Sequence, residues 1–355
     1  MAQPLRDARR GAPLKRGVRA PDPRRRALSR RAFALSLGAL PLAGAPTAAE
    51  RSPGSDGWPQ RPLRVVVPFA AGGSTDVAAR ILAERMGQFL GQPVVVDNRA
   101  GSGGLVGADA VAKAEPDGHT LLMATTGLLA IAPHLYPQMP FDPARDFAPV
   151  SLVFSTDLVI AVAKDVPAGS LQEFVRLARK RPGAVSYASS GAGTTTHAAT
   201  ELFRLAARVE LLHVPYRGSG QAMNDLVAGN VQLMVDQIAS SIGQIRDGRI
   251  RALAVTGAER HPLLPEVPTV AEAGLPGARA SSWGGLVAPA RTPAPAVEKA
   301  NAAVRDAVAQ PAVRQRMAAA GADPAPSSPA EFADFVRAES EKWGRVVRDA
   351  RITVN

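Results

Sequence analysis

Two short stretches of this chain combine glycine, hydroxyl and acidic residues in an order that can hold an anion. The first is Phe69-Ala70-Ala71-Gly72-Gly73-Ser74-Thr75-Asp76. The second is Ser189-Ser190-Gly191-Ala192-Gly193-Thr194-Thr195-Thr196-His197. Glycine lets the backbone turn sharply, and Ser, Thr or Asp at the end of the turn can cap a helix. A helix start leaves several N–H groups unpaired and adds the positive end of the helix dipole, so an anion is the ligand such a turn recognises. The same pattern also serves a plain strand-to-helix connection with no ligand. Thr125 and Thr126 close a third strand, where open α/β sheets bind ligands, and they can equally cap the next helix. Asp236 ends another apolar strand and either faces the same crevice or caps the helix after it. Tyr216-Arg217-Gly218-Ser219-Gly220 is a further polar turn.

The catalytic signatures are missing. No G-x-S-x-G elbow, H-E-x-x-H pair or Walker loop occurs. The five histidines have no ligand spacing and there is no cysteine, so neither a metal site nor a cofactor is expected. Gly101, Gly103 and Gly107 give G-x-G-x-x-x-G, which misses the dinucleotide fingerprint. His197 beside several hydroxyls leaves one enzymatic alternative, a hydrolase using a Ser189–Thr195 hydroxyl with His197. Its other reading is a structural or ligand-contacting histidine.

Regular elements are needed to hold these turns. Leu63 to Phe69 is short and β-branched, as a buried strand is. Val77, Ala78, Ile81, Leu82, Met86, Phe89 and Leu90 then recur at helical spacing. The same strand–turn–helix order returns at Val185–Ala207. Val150–Phe154 and Leu158–Ala163 read as two apolar strands, and Ser281 to Ala288 as a strand crossing back. Ser170 and Ser328, each with Glu three residues on, are capping boxes. Strands alternating with helices imply mostly parallel sheets whose loops gather at one edge.

The chain's 355 residues suffice for about two domains with real cores. Its net charge of +11 suggests nucleic acid until its location is considered. Residues 1–49 hold eleven Lys or Arg against two Asp or Glu, and the rest is nearly neutral. The nearly neutral body therefore gives a polyanion-binding reading little support. The leader runs from Arg24-Arg25-Arg26 through Ser29-Arg30-Arg31-Ala32-Phe33-Ala34-Leu35 into a short apolar run and then small residues. That is the order of an export signal of the twin-arginine kind, with cleavage expected near Ala49 and Ala45, weakened by Pro46 after it, as the competing site.

Further motifs carry a family resemblance. They are Trp58-Pro59-x-x-Pro62-Leu63-Arg64, Val67-Pro68-Phe69-x-x-Gly72-Gly73-x-x-Asp76, Asn98-Arg99-x-Gly101-x-Gly103-Gly104 and Pro116-Asp117-Gly118. Tyr187-x-Ser189-Ser190-Gly191-x-Gly193-Thr194, Val214-Pro215-Tyr216-x-Gly218 and Leu264-Pro265-x-Val267-Pro268-Thr269 continue it. Together they resemble the Bug (TctC-like) receptors, the extracytoplasmic substrate-binding proteins of tripartite tricarboxylate transporters. Such receptors often have proline at the position of Ala71. The resemblance implies an α/β, two-lobed periplasmic-binding-protein fold (type II-like), each lobe a mixed, mostly parallel sheet flanked by helices. Lobe 1 would be 58–155 plus 280–355 and lobe 2 would be 156–279. It further implies a monomeric periplasmic receptor that closes on a small mono- or dicarboxylate. The partner would be a membrane permease, or a sensor protein, and not nucleic acid. The ligand would meet Phe69, Ala70, Gly72, Gly73, Ser74, Thr75 and Asp76 on one side, with Thr125 and Thr126. On the other it would meet Ser190, Gly191, Gly193, Thr194, Thr195, His197, Tyr216, Gly218 and Asp236.

Overall fold

The computed structural model describes residues 57–216 and 218–354. The expected export leader and its cleavage point lie outside the described residues. In chain order the elements are β1 (Leu63–Val67), α1 (Ser74–Leu90), β2 (Val94–Asn98), α2 (Leu105–Ala112), β3 (Thr120–Thr125), a π-helical turn (Gly127–Ile131), α3 (Ala132–Leu135) and β4 (Phe147–Ala163). There follow α4 (Leu171–Lys180), β5 (Ser186–Ser189), α5 (Thr195–Ala207), β6 (Leu212–Pro215), α6 (Ser219–Val227), β7 (Leu233–Gln237), α7 (Ile238–Arg246) and β8 (Ile250–Val255). The chain ends with β9 (Ser281–Pro289), α8 (Ala294–Ala309), α9 (Pro311–Ala319), β10 (Asp323–Pro324) and α10 (Pro329–Ala350).

The strands form a mixed sheet in the order β2-β1-β3-β9-β4-β7-β5-β6, with β8 and β10 also paired to β4. The flanking trios β2-β1-β3 and β7-β5-β6 are parallel, and every antiparallel pairing involves β4 or β9. The α/β class is the expected one. The two apolar runs expected as separate strands are a single strand, β4, because its two halves find different partners. Phe147–Asp157 pairs with β9, and Leu158–Ala163 pairs with β7 and β8. The return crossing, between β8 and β9, is stapled to the first by one side chain. Thr256 Oγ1 accepts from Leu158 N at 3.0 Å and lies 2.7 Å from the Ala280 carbonyl, to which it donates.

Period-two alternation explains how one strand serves two cores. Val65 and Val67 of β1 join Ala78, Ile81, Leu82 and Met86 of α1 and Ala300, Ala303, Val304 and Ala307 of α8 on one face. Val66 faces the other way, toward Leu122, Leu128, Trp283 and Phe332. α1 is thus anchored by its buried side, which fixes where its first turn sits. Truncating Met86, fully buried, to alanine would cost about 2–5 kcal/mol. The Ser328 box closes in both directions, with Ser328 N donating to Glu331 and Glu331 N to Ser328. The Ser170 box does not: Glu173 N donates to Ser170 Oγ, but the Glu173 carboxylate accepts from Gly169 N.

Candidate functional site

Gly72, at φ +89, takes the chain from β1 into α1 through a conformation that a side chain would strain. Gly73 occupies the cap position in extended conformation, and no side chain caps the helix. The expectation that Ser74, Thr75 or Asp76 would cap it is therefore corrected. Asp76 reaches backwards instead. Its Oδ2 accepts the Gly72 N–H at 2.8 Å, and its Oδ1 accepts from Arg80 Nε at 3.0 Å and Asn98 Nδ2 at 2.9 Å. Burial alone would raise the Asp76 carboxyl, but the bonds from Arg80, Gly72 and Asn98 outweigh it and hold the group below the usual carboxylate range. Asn98 Nδ2 also donates to the Phe69 carbonyl at 3.1 Å. The acidic residue is thus a tie that shapes the turn. Among the described residues, the N–H groups of Gly73, Ser74, Thr75 and Asp76 have no acceptor.

The second turn is wired differently. Thr194 caps α5, its Oγ1 accepting from His197 N at 3.4 Å. Thr196 Oγ1 accepts the Ser190 N–H at 2.9 Å, and Ser189 Oγ accepts the Gly191 N–H at 3.2 Å. Gly193 N donates to His197 Nδ1 at 3.0 Å, and Thr194 N to the Gly191 carbonyl at 3.3 Å. Only Ala192, Thr195 and Thr196 keep unpaired amides in this turn among the described residues. Gly193 is at φ +75, and a Cβ there would lie 2.7 Å from Leu135, so the turn also needs glycine for space.

Both turns line one cavity of about 520 Å³ at the C-terminal ends of the parallel strands. Of the residues expected to meet ligand, Phe69, Gly73, Ser74, Thr75, Asp76, Thr125, Ser190, Gly193, Thr194, Thr195, Gly218 and Asp236 contribute to its wall. Ala70, Gly72, Thr126, Gly191, His197 and Tyr216 do not. Thr126 is buried behind it, its Oγ1 accepting from Trp283 N at 2.8 Å. The Tyr216 hydroxyl donates to Asp225 at 2.6 Å, and burial with that bond pushes its pKa up to about 12. His197 lies beneath the second turn, its ring 3.9 Å from that of His213; burial, then His213, pushes it down to about 3. No hydroxyl of the turn bonds the His197 ring, so the dyad of the hydrolase alternative is not formed. Ser189 meets His213 Nε2 at 2.7 Å instead, and Ser189 is fully buried.

Asp236 lines the cavity and does not cap α7, whose cap residue is Gln237. Its Oδ1 accepts from Ser219 of α6 at 3.2 Å and its Oδ2 from Ser240 of α7 at 2.5 Å. Burial raises its pKa against the pull of those hydrogen bonds. α6 and α7, like α1, start without a side-chain cap. Among the described residues no Lys, Arg or His side chain lines the cavity, and the positive potential they give it comes from helix starts and loose amides.

Tyr136, Leu105, Ser102, Gly103, Gln237 and Ser282 belong to the wall but were not expected there. The glycine-rich 101–104 loop was itself a signal, although not one for a nucleotide. Gln237 and Ser282 carry none, since only the crossing strands bring them in. Ser74 Oγ lies 3.5 Å from Gln237 Oε1, and Gln237 Nε2 donates to Ser282 at 3.4 Å. Among the described residues no group of three or more His, Asp or Glu could hold a metal, and no helix is long and apolar enough to cross a membrane.

Residues 78–352 match the model of the tripartite tricarboxylate transporter family receptor. The chain belongs to this family. It is 44% identical over 310 residues to the UPF0065 protein of the tcbD-tcbE intergenic region of Pseudomonas sp. strain P51, covering 87% of this chain and 92% of that one. Among solved structures, a Rhodopseudomonas palustris protein with adipate is 38% identical at a TM-score of 0.75, covering 83% of this chain and 99% of the other. MatC of the same organism, with bound malate, is 38% identical at a TM-score of 0.71, covering 82% and 100%. Members of this receptor family are periplasmic solute-binding proteins.

Proposed function

We propose that this receptor captures a small mono- or dicarboxylate in the 520 Å³ cavity and delivers it to the membrane permease of a tripartite tricarboxylate transporter. The observation that carries the reading is the set of four unpaired amides, Gly73 to Asp76, at the uncapped start of a 17-residue helix, in a cavity that no cationic side chain lines among the described residues. Such a site takes an anion through fixed dipoles and needs no counter-ion. Charge-assisted hydrogen bonds contribute roughly 1.5–3 kcal/mol each. Three or four of them, offset by ordering costs, give affinity of about micromolar or better. The adipate and malate of the two R. palustris structures support the ligand class.

The proposed lobes are 58–155 with 280–355, and 156–279. Closure would turn on the two crossings that Thr256 staples, near Leu158 and Ala280. The mature protein would be a monomer, exported by the twin-arginine route and cleaved near Ala49. It would act without catalysis. Thermal-shift titration against adipate, malate and aromatic carboxylates tests the ligand class. At millimolar concentration at least one carboxylate should raise the melting temperature by several degrees while its amide analogue does not. If no carboxylate stabilises the protein, the reading fails.

A further inference from the structure

Beneath the second turn lies a stack of three rings that capture of a carboxylate does not use. His197 of α5 and His213 of β6 are 3.9 Å apart with planes 15° from parallel, and Tyr187 of β5 lies 4.8 Å from His213. The imidazoles are wired to the glycines above. Gly193 N donates to His197 Nδ1 at 3.0 Å. His213 Nε2 meets Ser189 Oγ at 2.7 Å, and that hydroxyl accepts the Gly191 N–H at 3.2 Å and donates to the Gly191 carbonyl at 3.1 Å. One assignment satisfies every partner: His197 carries its proton on Nε2, and His213 donates from Nε2 to Ser189.

We propose that His197 and His213 are positioning residues that hold the 189–195 turn in its ligand-ready shape only while both rings are neutral, so that ligand affinity falls on acidification. The proposal rests on the reading of the cavity as a carboxylate site. A protonated His197 would bear N–H on Nδ1, facing the Gly193 N–H donor to donor at 3.0 Å. It would also set a positive charge 3.9 Å from a second imidazole in a dry site. Geometry and titration agree, since burial and then His213 push His197 down to about 3, and burial lowers His213 against the pull of Glu201.

Among the described residues, the other ionisable neighbours of the pair are already engaged. Tyr187 of β5 donates to Glu201 of α5 at 2.6 Å, and Glu201 is paired with Arg204 at 2.7 Å. Asp236 of β7 accepts from Ser219 and Ser240. Leu135 of α3 and Val354, after α10, approach Gly193 and are apolar. The sign follows from the lowered values. The positioned turn is fully favoured above the ordinary histidine value, about 6.5, and loses that advantage as pH falls below it. A ring released to its ordinary value sets a limit of about ten-fold in affinity between pH 7.5 and 5.5.

Calorimetric titration of the wild type and His197→Asn with adipate and malate, at pH 7.5 and 5.5, tests this. Asparagine offers an oxygen to the Gly193 amide but takes no proton. The variant should bind within about three-fold of the wild type at pH 7.5. The wild type should then lose about three- to ten-fold more affinity than the variant on going to pH 5.5. The probes' own titration is common to both proteins and cancels. Equal losses in both overturn the proposal. If neither probe binds either protein at any pH, it is the assignment of these carboxylates that fails. The Gly193 amide resonance then decides the proposal without a ligand: it should move between pH 7.5 and 4.5 in the wild type and stay put in His197→Asn. A resonance that moves alike in both, or in neither, overturns it.

Discussion

The turn from Phe69 to Asp76 keeps its amides free by sending its acidic residue backwards, whereas the turn from Ser189 to His197 gives its amides to its own hydroxyls and rings. Asp76 accepts from Gly72, Arg80 and Asn98, all outside the row of amides that opens α1. Thr194, Thr196, Ser189 and His197 accept from amides within their own turn. Hydroxyls near a helix start compete with any ligand for the same donors. On the proposed reading the first turn is the anion seat, and the second is a preformed wall that contributes shape, hydroxyls and three amides.

Variants can break or sharpen this contrast. The largest effect should come from Asp76→Ala, which releases Gly72 and Asn98 together. It should cost about 3 kcal/mol of carboxylate binding, roughly a hundred-fold by calorimetry. Because the Asp76 pKa is held low, its tie is intact above about pH 4 and is lost as pH falls through the lower folded value. Wild-type thermal stability should then drop more steeply below pH 4 than that of Asp76→Asn. Gly73→Pro comes next. Gly73 has φ −74, which proline adopts, so the substitution removes little besides the N–H. Affinity should fall about ten- to hundred-fold with the melting temperature nearly unchanged. Thr196→Val, which orphans the Ser190 amide in the second turn, should cost about 1 kcal/mol, roughly five-fold. If it cost more than Gly73→Pro, the two turns would have to exchange roles. Tyr216→Phe should change affinity less than about two-fold, because its hydroxyl serves Asp225.

Much of this layout was legible in the residues. Leu63–Leu90 read as strand, turn and helix because apolar spacing switches from strand to helix period across two glycines. The family motifs covered nearly the whole folded body. What stayed hidden depended on partners distant in sequence. β4 reads as two strands because polar Ser155-Thr156-Asp157 interrupts it, yet β9 continues the pairing through them. Thr125 and Thr126 look interchangeable, but only Trp283, 157 residues further on, decides that Thr126 turns inward. Asp76 looked like a cap because the residue type fits, and Asn98 and Arg80 pull it the other way. Whether a turn hands its amides to itself depends on rotamers, which spacing does not encode.

That no Lys, Arg or His among the described residues lines the cavity also bears on kinetics. Side-chain cations would project a field over about a Debye length, roughly 8–10 Å, and draw anions in from solution. Dipoles at helix starts act only within about one turn of the helix. Encounter should therefore be unsteered, with an association rate that varies little between 20 mM and 500 mM salt, roughly the range over which a steered rate would fall steeply. Selectivity for anions would then appear in the dissociation rate, as residence time once the carboxylate has reached Gly73.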